Sequence, residues 1–139
     1  MKKIFGYYSS SMPYPNDARR VDVYEDNGTC YAICYTDGKD AQEVRVDLTE
    51  NVLAQIKTLY SDNPRIFDIE DVDFPPILDG NHCRFEFIND SNENSIHCCN
   101  AWYFLENPCS KDTELLINVY IEIAQILNND GVDEKYLKL

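Results

Sequence analysis

Apolar and polar side chains alternate between residues 20 and 48 with the period of two that a half-buried strand requires. Two clusters of turn formers interrupt the alternation, Asp26-Asn27-Gly28 and Asp37-Gly38, where glycine supplies the positive φ of a tight hairpin. Strands are therefore expected over 20–25, 29–36 and 43–48, with a short strand over 3–8 ahead of them. Residues 9–17 carry Pro13 and Pro15 on either side of Tyr14 and read as a loop that leaves this tyrosine exposed.

The same alternation argues for a register. A two-residue turn at Asp37-Gly38 places Tyr31, Ile33, Tyr35, Val44 and Val46 on one apolar face. Val21 and Val23 join that face only if the preceding turn has three residues, Asp26-Asn27-Gly28, with Gly28 left-handed. The opposite face then carries Arg20, Asp22, Tyr24, Cys30, Ala32, Cys34 and Arg45, a mixed surface suited to solvent or to a second subunit.

From Thr49 the period lengthens. Val52, Leu53, Ile56, Leu59 and Tyr60 follow helical spacing, Leu48 and Leu53 form a hydrophobic staple around a Thr49 cap, and Asn63-Pro64 stops the helix. Residues 66–69 are expected to add a brief strand before an acidic connector, 68–80, whose Pro75-Pro76 pair removes two backbone donors. Further strands are expected at 81–88 and 95–105, around the polar loop 89–94. Phe85, Phe87, Ile96, Cys98, Trp102 and Phe104 fall in phase on one side of this hairpin, and His82, Arg84, Glu86, His97 and Cys99 on the other. A last helix begins at Ser110 or Asp112 and ends near Asn128, ahead of Gly131. It is apolar except for a stripe of Asn118, Glu122 and Gln125, so it is either the central core helix or in part a dimer contact. The tail 132–139 reads as a further helical turn. These elements make one α+β domain over residues 1–139, an antiparallel sheet or two smaller sheets with two main helices packed on one face, in the order strands, helix, strands, helix.

Charge narrows the partners. The chain has a formal net charge of −13, and the surplus falls entirely in residues 40–139. Such a field repels phosphates, so direct contact with nucleic acid or an anionic membrane is not expected, whereas a basic protein is drawn in. No apolar run reaches the length of a bilayer span and none resembling a signal follows Lys2-Lys3, which argues for a cytoplasmic protein whose six cysteines are mostly thiols.

Spacing limits the chemistry. Cys30 and Cys34, four residues apart on a strand, lie about 13 Å from one another, beyond the roughly 7 Å reach of a disulfide. His82, His97 and Cys99 share a face, but buried thiols and a surface histidine beside Glu86 account for them more simply, so no metal and no cofactor is expected. His97 and Cys99 alternate on one strand about 6–7 Å apart, too far for a thiol–imidazole pair. No nucleophile elbow, zincin helix or phosphate loop is present, so the balance leans away from an enzyme, with a small metal-assisted one as the catalytic alternative.

The connector is the candidate binding segment. Asp68, Glu70, Asp71, Asp73 and Asp79 alternate with Ile69, Val72, Phe74 and Ile77, setting charge beside apolar anchors as an interface with a basic protein does, and Tyr14 offers a further aromatic anchor. The expected function is that of a non-enzymatic acidic binding protein that inhibits or regulates a basic protein partner, in the manner of an immunity protein or an inhibitor of a nucleic-acid-processing enzyme. A self-associating structural or ligand-binding module, as a homodimer, is the alternative.

Overall fold

The computed structural model describes residues 1–12, 18–37, 41–72 and 80–139. Its strands are β1 (Lys2–Met12), β2 (Arg19–Asp26), β3 (Thr29–Thr36), β4 (Gln42–Leu48), β5 (Gly80–Ile88) and β6 (Glu93–Cys99). Helix α1 (Glu50–Asp62) separates the first four strands from the last two, and α2 (Lys111–Asn129) follows them. The fold is α+β, with all six strands in one sheet of order β4-β3-β2-β1-β5-β6 and every neighbouring pair antiparallel. Among the described residues no helix is long and apolar enough to cross a membrane.

One sheet forms, rather than two, because β1 pairs on both sides. Phe5 and Tyr7 face Val23 and Val21 on β2, and Phe87 and Phe85 on β5. This apolar band lies beneath the helices. The Tyr120 ring of α2 sits 4.7 Å from Tyr7 and 5.0 Å from Phe85, and Ile56, Leu116 and Ile123 are fully buried beside it. Each such side chain contributes about 1.5–3 kcal/mol of burial free energy. The buried phenols stay satisfied: Tyr7 donates to Lys138 O at 2.6 Å, Tyr60 to Ile4 O at 2.6 Å, and Tyr120 to Leu137 O.

The β2–β3 hairpin corrects the expected register. Asp26 pairs with Thr29, leaving a two-residue turn with Asn27 at φ 52° and Gly28 at φ 83°. Asparagine tolerates the left-handed region, so both turn residues adopt the twist that suits a hairpin. The face beneath the helices therefore carries Val21, Val23, Cys30, Ala32 and Cys34, and Tyr31, Ile33 and Tyr35 belong to the other face. Val44 and Val46 stay on the helix side, opposite Cys34 and Ala32. Thr36 pairs with Gln42, so the β3–β4 connection is longer than the expected two-residue turn, and its Gly38 lies outside the described residues. Small side chains suit the helix face, where they let the backbone of β3 approach α1.

Other expectations shift locally. β1 runs on through Ser9 and Ser10, which pair with Cys83 and His82 where the loop was expected to have begun; Tyr14 lies outside the described residues. The strand expected at 66–69 is a 3-10 turn, Pro64–Phe67, because Pro64 fits the first helical position and Ile66 N donates to Asn63 O. β6 stops at Cys99, since Asn100 takes φ 54° and a 3-10 turn, Ala101–Leu105, follows. Phe104 is buried as expected, but Trp102 is not in phase with Ile96 and is 44% exposed. Thr49 sits at the N-cap of α1 without a side-chain cap bond; its backbone N donates instead to Asp130 Oδ2 at 2.7 Å, tying the start of α1 to the end of α2. Helix α2 opens with a capping box between Ser110 and Thr113 and ends before Gly131 at φ 111°. The expected turn in the tail is present as Glu134–Tyr136.

The two sheet edges are protected differently. Along β6, Val72 N donates to His97 O at 2.9 Å and His97 N donates to Asp71 Oδ1 at 2.9 Å, while the Asn94 side chain donates to Ile66 O and Ile69 O. The start of the connector thus occupies hydrogen-bonding positions another chain would seek. On β4, the charges Glu43, Arg45 and Asp47 perform the protection.

Candidate functional site

The sheet face opposite the helices carries no described helix and is lined by charge and tyrosine. At its centre Asp22, 3% exposed, lies with Oδ1 2.7 Å from Lys3 Nζ and Oδ2 2.7 Å from Arg20 Nε. Glu86 reaches the same group from β5, 3.1 Å from Lys3 Nζ and 3.5 Å from Arg84 Nε. Gly6 lies between Asp22 and Glu86 in the ladder, and it makes room for the cluster. A Cβ there would come within 2.9 Å of Lys3 Cε and 3.2 Å of Asp22 Oδ1. The hydrogen bond and charge of Asp22 hold the Arg20 guanidinium protonated, with its pKa raised.

Aromatic rings flank the cluster. Tyr24 and Tyr31 stack at 5.4 Å, the Arg45 guanidinium lies 3.9 Å from the Tyr31 ring centre, and Arg84 lies 5.6 Å from that of Tyr8. Tyr8, Arg20, Asp22, Tyr24 and Tyr35 also line a hollow of about 470 Å³. Tyrosine beside arginine is the composition of protein-binding surfaces. Charges of both signs interleave here, which suits recognition of a mixed surface better than of a polyanion.

At the β5–β6 end of this face stand His82 and His97, as the alternation indicated. His97 Nδ1 lies 3.2 Å from His82 Nε2, and Cys99 pairs with His82 across the ladder. Burial, together with the neighbouring His97 and Arg84, lowers the pKa of His82. Because His97 meets an imidazole rather than a thiol, it is not arranged to activate a cysteine. The buried thiols are held protonated: burial pushes Cys30 and Cys34 up to about 11 and Cys98 up to about 12, and raises Cys83. Among the described residues, no group of three or more ligating side chains is placed to hold a metal ion.

The connector acids have mixed fates. Asp68 and Glu70 are exposed, and Asp71 is exposed while holding the β6 edge. Ile69, expected as an anchor for a partner, is buried in the core, and Val72 packs against it. Asp73, Phe74, Ile77 and Asp79 lie outside the described residues, as does Tyr14. A second acidic surface, which sequence spacing did not single out, opens between α1 and α2. This groove, about 710 Å³, is lined by Asp62, Glu122 and Asp130 with the amides of Asn51, Gln55 and Gln125, and no lysine or arginine lines it. Its signal in the sequence was the polar stripe of α2, of which Glu122 and Gln125 line the groove.

No family model and no curated protein matches the chain. The surfaces themselves therefore carry the functional reading.

Proposed function

We propose that the chain is a non-enzymatic binding protein that inhibits or regulates a basic protein partner, as an immunity protein or an inhibitor of a nucleic-acid-processing enzyme would. The observation that carries this reading is the unequal use of charge. Lys3, Arg20, Arg45, Lys57, Arg65 and Arg84 each lie within ion-pair distance of a carboxylate. Glu50, Asp62, Glu70, Glu114 and Glu122 lie within ion-pair distance of no described cation, and such carboxylates outnumber the described cations, Lys111, Lys135 and Lys138 among them, that also lack an ion pair. An acidic surface whose charge is not cancelled internally steers a cationic protein, and its effect falls with ionic strength.

The test is a pull-down at low and high salt, followed by association kinetics with the retained protein. Asp62→Lys with Glu122→Lys reverses the groove, and Asp68→Lys with Glu70→Lys reverses the exposed connector. A basic partner lost at high salt, with slower association for one of the two variants, is the expected result. Association unchanged in both variants would remove the acidic surfaces from the account.

Self-association is favoured by a different observation, the tyrosine-rich and charge-interleaved open sheet face, which two copies of an otherwise acidic chain can bring together without opposing like charges. Light scattering decides it: a dimer that Tyr24→Glu converts to a monomer supports this reading, and a monomer at high concentration rejects it.

A further inference from the structure

The chain contains two histidines, far apart in sequence, and the fold brings their ring nitrogens together at one end of the open face. We propose that His82 and His97 form an open site for a divalent transition-metal ion of the zinc, nickel and copper class. The inference does not depend on the proposed basic partner.

The geometry suits an ion. Metal–imidazole bonds are about 2.0–2.1 Å long, so two nitrogens at the observed separation subtend about 100° at a shared metal, between square-planar and tetrahedral values. Two rings aimed at one ion with that angle have centres about 5 Å apart. The centres of His82 and His97 lie 5.1 Å apart, with the planes tilted by 34°. A collinear N–H···N hydrogen bond of the same length would hold the centres farther apart, at about 5.5 Å.

The scaffold fixes this approach. His82 on β5 and His97 on β6 are diagonal neighbours on one face, because His82 pairs with Cys99 and Arg84 with His97. The Asp71 carboxylate accepts from His97 N and Val72 N donates to His97 O, which holds the His97 segment from its outer side, so the ring separation does not rest on a free strand edge. The ion would bind His97 through Nδ1 and His82 through Nε2, leaving each remaining ring nitrogen to carry the proton. His97 is exposed and His82 half-buried, so an ion can enter from solvent. Its remaining positions are left to water or to an incoming ligand, the arrangement of an exchangeable rather than a closed structural site. Arg84 opposes a cation nearby, and the Glu86 carboxylate, 3.5 Å from its Nε, offsets part of that charge. Imidazole ligands suit zinc, nickel and copper, with copper(II) bound most tightly of the three.

The test uses the full chain freed of metal by chelator. Calorimetric titration with zinc and with nickel, ions that leave the thiols unoxidised, is expected to show one ion per chain. His82→Gln and His97→Gln should each lower affinity by at least about 100-fold, the upper range for losing a mere supporting residue. Cys109→Ser, which removes the exposed thiol, should leave binding intact. Should either histidine variant fold poorly, the wild-type chain provides a second readout: zinc should shift the imidazole resonances of both histidines together in the nuclear magnetic resonance spectrum. Absence of binding, binding that survives His97→Gln in a folded variant, loss of binding in Cys109→Ser, or zinc that leaves both imidazoles unshifted would each overturn the site.

Discussion

Gly6 is a small residue with a large local effect, because its missing Cβ is the space in which Lys3 reaches Asp22. Gly6→Ala is expected to push Lys3 aside and leave the buried carboxylate less well satisfied, at a cost of about 1–3 kcal/mol in urea unfolding. The same substitution in a Lys3→Ala background should cost less, and equal costs in both backgrounds would show that the cluster is not what the glycine serves. A second residue-scale consequence concerns pH. Cys30 and Cys34, raised to about 11, and Cys98, raised to about 12, ionise later in the folded chain than in the unfolded one. The unfolded state therefore releases protons first as pH rises, and the stability these thiols contribute is complete below about pH 8.5 and lost above it. The urea midpoint should fall between pH 8 and pH 11, and Cys34→Ala should flatten that fall. The short strand that holds Gly6 was legible in the sequence, but the role of the glycine was not, because it depends on pairings that bring residue 86 beside residue 3.

At the scale of elements, the described start of the connector, Asp71 and Val72, is bonded to β6. Val72→Pro removes the donor to His97 O and is expected to open the β6 edge, seen as concentration-dependent association by size exclusion. Val72→Ala, which keeps the backbone donor, should remain as the wild type, and a monomeric Val72→Pro would deny the connector this role. The two long helices were legible because each keeps its period, and α2 also its signals, Ser110 before it and Gly131 after it, whereas the short 3-10 turns at 64–67 and 101–105 overlap stretches that read as strand. The β2–β3 register was not legible either. Local alternation on β3 offers tyrosines on one side and small residues on the other, and both sets are apolar enough to be core. Only the helices choose, and they take Cys30, Ala32 and Cys34 because large rings there would hold them off the sheet. Alternation had already set Arg20, Asp22, Tyr24 and Arg45 on the open face, where they stand, and that choice added Tyr31 and Tyr35 to it, which alternation alone could not show.

For the whole molecule, the charge surplus predicts that salt stabilises. With a net charge of −13 the folded chain repels itself, and screening at a Debye length of about 3 Å in 1 M salt relieves much of that. The thermal midpoint should rise between 0.02 and 1 M sodium chloride, and a fall would indicate that the surface ion pairs outweigh the repulsion. Acidity was legible from composition, and its concentration in the α1–α2 groove required the packing of the two helices.

The central position of β1 also sets a sequence of events in time. Its pairing with β2 closes a short connection, whereas its pairing with β5 closes a loop of about 70 residues, a slow search for long-range partners. The meander of β1 to β4 is therefore expected to assemble in the transition state, with β5 joining afterwards. In stopped-flow refolding, Val23→Ala should slow folding, while Phe87→Leu should act chiefly by speeding unfolding. Until β5 arrives, one edge of the strand that carries Phe5 and Tyr7 stands unpaired, so the refolding chain is most prone to aggregate during that interval.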